Sequence, residues 1–142
     1  MALRLLLVED DNELIEIITD YFVDKSAGTF QIDPARTGGE ASQKMIENEY
    51  DLVLLDVMLP EIDGFTICRQ LRQTSDVPII FITARHNETD RLHGYHLGCD
   101  DYIAKPFSLA ELYAKVIALI KRAKGTVRND IITVGSIKLN PY

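Results

Sequence analysis

The chain has 142 residues, a length that fits one domain. Hydrophobic residues make up 46% and charged residues 26%, a mixture too apolar for a disordered chain, yet without an apolar run near the ~18 residues of a membrane-crossing helix. A formal net charge of −7 excludes a free-standing nucleic-acid binder, because phosphate attraction needs excess positive charge.

The first apolar run, Leu3–Val8, is near-continuous and predicts a parallel strand buried on both faces. It passes straight into acids in MALRLLLVEDDN, unlike a secretory leader. Leu14, Ile15, Ile17, Ile18, Tyr21 and Phe22 then recur at helical spacing, and Ser26–Thr29 reads as a turn. Phe30–Ala35 is a second, weaker strand. A second helix over Gly39–Asn48 carries Ala41, Met45 and Ile46 on one side. Leu52–Leu55 is the third strand, ending at Asp56, and Phe65–Arg72 the third helix. The fourth strand, Val77–Thr83, starts with Pro78 where a missing N–H is tolerated.

A fourth helix lies within Asn87–Leu97, anchored by Leu92, Tyr95 and Leu97, and stops near Gly98. Tyr102–Ala104 is a brief fifth strand. Ser108 and Glu111 form a capping-box pair ahead of Leu109, Leu112, Val116, Leu119 and Ile120, which predicts the fifth helix. Lys121, Arg122 and Lys124 put positive charge at its C-terminal end, where the helix dipole favours it. Strands alternating with helices make this an α/β fold: a five-stranded parallel sheet with helices on both faces. Cys68 and Cys99 are isolated thiols, read as small buried residues of a cytoplasmic protein.

Residues 1–124 form the first domain. Residues 125–142 read as a linker followed by two short strands, Ile131–Val134 and Ile137–Leu139, too little for an independent core. This tail carries Arg128 and Lys138 against Asp130, so the acidity lies in residues 1–124.

Ligands of open α/β sheets bind outside the carboxyl ends of the strands. Those ends here are Glu9-Asp10-Asp11, Asp56, Thr83-Ala84 and Lys105-Pro106. Carboxylates meeting on one rim repel, by about 4 kcal/mol per pair at 4 Å and an effective dielectric near 20. A shared proton, a cation or Lys105 must offset this. An oxygen-only cluster suits a hard cation such as Mg²⁺. Asp56 is then placed as a nucleophile towards a phosphoryl group, with Lys105 and Thr83 contacting its oxygens. Taken singly, each acid reads as a helix cap or solvated turn, and Asp11 in particular as the cap of the first helix. Joint placement at four strand ends favours the site. His86, His93 and His96 lie between strands four and five; with no cysteine beside them they read as exposed side chains rather than metal ligands.

The segments LLLVEDD, DLVLLDVMLPEIDG, Thr83-Ala84 and DDYIAKPF, in this order, resemble the receiver domain of bacterial two-component response regulators over about residues 3–123. The resemblance implies a flavodoxin-like sheet in the order 2-1-3-4-5. It implies Asp56 as phosphoacceptor, Mg²⁺ bound by Asp10, Asp11, Asp56 and the backbone carbonyl of Met58, and Lys105, Thr83 and Ala84 at the phosphoryl group. It further implies a cis peptide before Pro106 and a coupled switch of Thr83 and Tyr102. In the winged-helix subfamily, helix four, strand five and helix five pair two copies; Arg91, Asp100, Asp101, Glu111, Lys115 and Arg122 match those charged positions. Lys115 stands where the subfamily usually has Arg and loses the bidentate fork. The tail IITVGSIKLNPY resembles the first strands of the subfamily's DNA-binding domain. The implied partners are a sensor histidine kinase, a second copy on phosphorylation and DNA through the missing C-terminal domain, with no membrane. By the same resemblance, bulky Met58 and Arg85 slow spontaneous dephosphorylation.

Two readings compete with a regulatory switch in the parent protein, besides a stand-alone receiver. A phosphohydrolase with an Asp nucleophile needs Asp-x-Asp, and here Asp56-Val57-Met58 lacks the second acid. A flavodoxin-like cofactor binder needs a Ser/Thr/Gly loop after the first strand, where this chain has Glu9-Asp10-Asp11.

Overall fold

The computed structural model describes residues 2–132, with side chains through residue 124. The elements run β1 (Leu3–Val8), α1 (Asn12–Lys25), β2 (Phe30–Ala35), α2 (Gly38–Glu47), β3 (Leu52–Leu55), α3 (Gly64–Arg72), β4 (Ile79–Thr83), α4 (Glu88–Leu97), β5 (Asp101–Ala104) and α5 (Leu109–Ile132). All five strands are parallel, in the order β2-β1-β3-β4-β5. This is the flavodoxin-like order that the resemblance implies.

Strand residues alternate between two cores, which explains the unbroken apolar runs. Leu6, Val8, Val53, Leu55 and Phe81 face α2 and α3, meeting Ala41, Phe65, Ile67, Cys68 and Leu71. Leu5, Leu7, Leu52, Leu54, Ile80, Ile82 and Ile103 face α1 and α5, meeting Ile15, Ile18, Phe22, Leu112, Val116 and Ile120. A pleat sends successive side chains to opposite faces, so a strand covered on both must be apolar throughout. β2 is an edge strand and admits Pro34. Both cysteines are buried, as read from the sequence.

Side-chain caps set the helix starts. Asp11, Thr37, Asp63 and Asn87 accept backbone N–H groups at the heads of α1 to α4, and Ser108 Oγ accepts the Glu111 N–H at 3.2 Å. Gly98 closes α4 in the left-handed region, φ 107°, which a side chain would strain. The fifth helix runs to Ile132, past the boundary predicted at residue 124. Ile131 and Ile132, expected to open a strand, are therefore its last residues; the rest of the two predicted strands lies outside the described residues. Among the described residues, no helix is long and apolar enough to cross a membrane.

Candidate functional site

Backbone hydrogen bonds continue the sheet past its strands and assemble the rim. The Glu9 N–H donates to the Ala35 carbonyl at 2.9 Å, the Asp56 N–H to Val8 at 3.0 Å and the Lys105 N–H to Thr83 at 2.9 Å. Glu9, Asp56, Thr83 and Lys105 thus meet at one edge. Gly64 secures the loop after β3: a Cβ there would lie 2.1 Å from the Asp56 carbonyl oxygen, so only glycine lets α3 start this close.

The Lys105 ammonium bridges two buried carboxylates, its Nζ 2.8 Å from Glu9 Oε1 and 2.9 Å from Asp56 Oδ2. The remaining oxygens are also engaged: Asp56 Oδ1 accepts the Met58 N–H at 3.0 Å and Glu9 Oε2 accepts the Asp11 N–H at 3.1 Å. Burial first, then the charge of Asp56, pushes the Glu9 carboxyl above its usual range. Burial opposes the Lys105 charge, but its hydrogen bonds to Glu9 and Asp56 prevail and raise it. Glu9, Asp10 and Asp56 each bring an oxygen within 4.8 Å of the others, with Asp10 exposed at the mouth. One lysine does not balance three carboxylates. An all-oxygen set with surplus negative charge and an open side fits a hard divalent cation.

Asp11 does not join this cluster. It is exposed, and its Oδ1 caps α1, accepting from Glu13 at 3.0 Å and Leu14 at 3.3 Å. The acids that come together with Asp56 are thus Glu9 and Asp10, not the expected pair Asp10–Asp11. The reason is local: Glu9 still prolongs the strand and turns its side chain inward, whereas Asp11 already belongs to the helix. The sequence places Glu9 on the rim but the implied ligand set leaves it out; its signal is its position directly after Val8.

Thr83 is fully buried, its Oγ1 accepting the Arg85 N–H at 3.1 Å; Ala84 is exposed. Tyr102 is turned inward, its ring centroid 5.4 Å from that of Phe81 and its O–H donating to the Arg85 carbonyl. Burial, then the charge of Asp90, pushes this phenol up to about 12. The Lys105–Pro106 peptide is cis, and the Met58 side chain is exposed. All three histidines are exposed, and among the described residues none belongs to a metal-binding group.

The charged residues of α4, β5 and α5 divide. Lys115 pairs with Asp101 inside the chain at 3.0 Å, and Arg91 donates to the His86 carbonyl at 2.6 Å. Glu111 and Arg122 lie exposed on α5. Asp100 directly precedes β5, and its carboxylate takes Arg72 at 3.0 Å and the Ile79 N–H at 2.8 Å. It is occupied there in a structural task rather than turned to the other charges. Leu92 and Tyr95 add exposed apolar surface on α4.

Residues 5–117 match the response regulator receiver domain family. The chain is 42% identical over 142 residues to the transcriptional regulatory protein YclJ of Bacillus subtilis, covering 97% of this chain and 61% of that one. It is 40% identical over 136 residues to the phosphate regulon transcriptional regulatory protein PhoB of Rhizobium meliloti, covering 94% and 59%. The chain thus spans about three fifths of these relatives' length. Among solved structures, the BeF3-activated N-terminal receiver domain of Klebsiella pneumoniae RstA superposes with a TM-score of 0.78 at 30% identity, covering 83% of this chain and 98% of that one. The receiver domain of the Francisella response regulator 1452 gives 0.79 at 31%, covering 84% and 98%. The chain therefore belongs to the response regulator receiver domain family and has a regulatory role in two-component signalling.

Proposed function

We propose that this chain is the phosphorylation-activated switch of a cytoplasmic two-component system, with Asp56 as phosphoacceptor. The observation that carries this reading is the buried Asp56 carboxylate held between Lys105 and the Met58 N–H beside two further acids. An Asp56 oxygen attacks the phosphorus of a sensor kinase's phosphohistidine. The N–P bond breaks with its electron pair left on the imidazole, and an acyl phosphate forms. Lys105 supplies a point charge to the phosphoryl oxygens, and the Thr83 hydroxyl turns towards them as Tyr102 stays inward. Mg²⁺, held by Asp10 and Asp56 with Glu9 and the Met58 carbonyl beside them, would supply the charge neutralisation that lets a phosphoryl donor approach an acidic rim.

The α4, β5 and α5 face then pairs two copies, with Arg91, Asp101, Glu111, Lys115 and Arg122 as its charged groups. A parent protein of the winged-helix subfamily regulates transcription through a DNA-binding domain that follows the fifth helix, which here runs to Ile132. Bulky Met58 and Arg85 make dephosphorylation slow.

The test is incubation with Mg²⁺ and a small phosphodonor, reading phosphoprotein by mass. The wild type gains one phosphoryl group, and Asp56→Asn loses at least about a hundredfold in rate, the scale of removing a nucleophile. An Asp56→Asn protein phosphorylated at the wild-type rate overturns the assignment.

A further inference from the structure

Among the described residues, Asp90 Oδ2 is the one buried side-chain polar atom without a hydrogen-bond partner. Asp90 lies in the first turn of α4, 6% exposed, where the helix dipole favours its charge and Asn87 Oδ1 accepts its N–H at 2.8 Å. A carboxylate so placed is costly to bury unless paired. Its ion-pair partner is Arg85, Nε 3.1 Å from Oδ1.

Arg85 gives Asp90 one corner of its fork and keeps its side chain 54% exposed. Its guanidinium lies 5.6 Å from the ring centroid of Phe65. Phe65 directly follows Gly64, the residue packed on the Asp56 main chain, so the ring under this cation belongs to the turn that closes on the phosphoacceptor's backbone. The Arg85 main chain is bound into the same site, its N–H on Thr83 Oγ1 and its carbonyl under the Tyr102 hydroxyl.

We propose that Asp90 is a positioning residue that tethers Arg85, and that a phosphoryl group on Asp56 competes with Asp90 for the Arg85 guanidinium. The proposal rests on the phosphoacceptor reading above. A phosphoryl group brings up to two negative charges and three acceptor oxygens, which suit the planar fork better than one carboxylate oxygen does. Departure of Arg85 leaves Asp90 buried with neither oxygen paired. That penalty falls on the first turn of α4 and so carries the chemical event at β3 to the α4 face, because a switch moves only by the difference in interaction between its two states.

Beryllofluoride with Mg²⁺, measured by calorimetric titration, reads the phosphoryl-like state at equilibrium, and the lifetime of the acyl phosphate reads it kinetically. Asp90→Asn frees the arginine, so beryllofluoride binds about two- to fivefold tighter and the acyl phosphate lives correspondingly longer, the scale of one partly exposed charge pair. In an Arg85→Ala background, Asp90→Asn changes neither quantity. Arg85→Lys, on an exposed side chain, leaves Asp90 in place and weakens beryllofluoride binding towards that of Arg85→Ala. An equal effect of Asp90→Asn in the wild-type and Arg85→Ala backgrounds overturns the tether, because the carboxylate then acts through α4 alone. Wild-type binding by Arg85→Lys overturns the role of the fork. A wild-type protein that takes up no beryllofluoride overturns the phosphoacceptor reading itself, and the tether with it.

Discussion

The two ends of the sheet both concentrate charge, and they resolve it in opposite ways. At the carboxyl end, Glu9, Asp10 and Asp56 face one ammonium, that of Lys105, and the cluster keeps surplus negative charge beside an open mouth. At the amino end of β4 and β5, the Arg72 guanidinium is matched from several sides. Arg72 Nε donates to the Gly98 carbonyl at 2.8 Å, Nη1 to Val77 at 2.6 Å and Ser75 at 3.3 Å, and Nη2 to Asp100 at 3.0 Å. Asp100 in turn accepts the Ile79 N–H. The Arg72 cluster ties α3, β4 and β5 together and leaves its own charge balanced. The carboxyl end is left unbalanced, and an unbalanced site is one a ligand can complete. Site chemistry in this fold is read from where charge fails to cancel, not from where charge is densest.

The largest change in stability is expected at the balanced end. Arg72→Met keeps the apolar stem and removes the fork, leaving the Gly98 and Val77 carbonyls without this donor and the Asp100 carboxylate with the Ile79 N–H alone. The expected loss is about 2–3 kcal/mol, the scale of hydrogen bonds to a charged group whose partners stay partly buried. A lower urea midpoint at an unchanged slope reports it. Phosphoryl uptake by the folded fraction stays at the wild-type level. An unchanged midpoint would show that the matched cluster is packing without energetic weight.

At the unbalanced end the sign reverses. Asp56→Asn removes one of three crowded carboxylates and keeps the Glu9–Lys105 pair, so the metal-free protein gains about 1 kcal/mol, a fraction of the like-charge cost screened by Lys105. Mg²⁺ at ten times its dissociation constant then stabilises the wild type by about 1.4 kcal/mol, while the variant gains much less. Thermal unfolding with Mg²⁺ or with a chelator separates the two effects. A variant that is less stable than wild type in chelator would mean that Asp56 is held by its hydrogen bonds more than it is strained by its neighbours.

The same contrast decides what is legible in the sequence. The strands are legible because burial on both faces forces unbroken apolar runs, as in Leu5–Val8 and Leu52–Leu55. Asp56 and Lys105 are legible because the carboxyl end of a parallel strand is a known place for chemistry. Glu9 is passed over for Asp11 because one residue separates a side chain that prolongs the strand from one that caps the helix, and apolar periodicity does not resolve one residue. Arg72 carries no signal at all, since most of its partners are backbone carbonyls, which any residue supplies. Asp90 is not singled out by the sequence; its burial depends on how the β4–α4 loop closes, which is a tertiary matter. Asp100 is grouped with its neighbour Asp101, yet the two carboxylates at the start of β5 take different partners, Arg72 and Lys115.

That last divergence supports the smallest effect. The Lys115–Asp101 pair is partly exposed, with Asp101 Oδ1 also taking the Tyr102 N–H at 2.8 Å and the Tyr95 hydroxyl at 3.3 Å. A lysine brings a point charge on a flexible stem, so Lys115→Ala costs only about 0.5 kcal/mol of folding stability. Lys115→Arg changes folding as little, but its fork reaches a second acceptor. If the α4, β5 and α5 face pairs two copies in the beryllofluoride state, the arginine variant tightens that dimer about two- to fivefold, the scale of one added charged contact at a rim. Sedimentation of the activated protein reads this directly. A dimer constant that does not move between lysine, arginine and alanine at position 115 places the pair wholly inside the chain, on the balanced side of the molecule with Arg72 and Asp100.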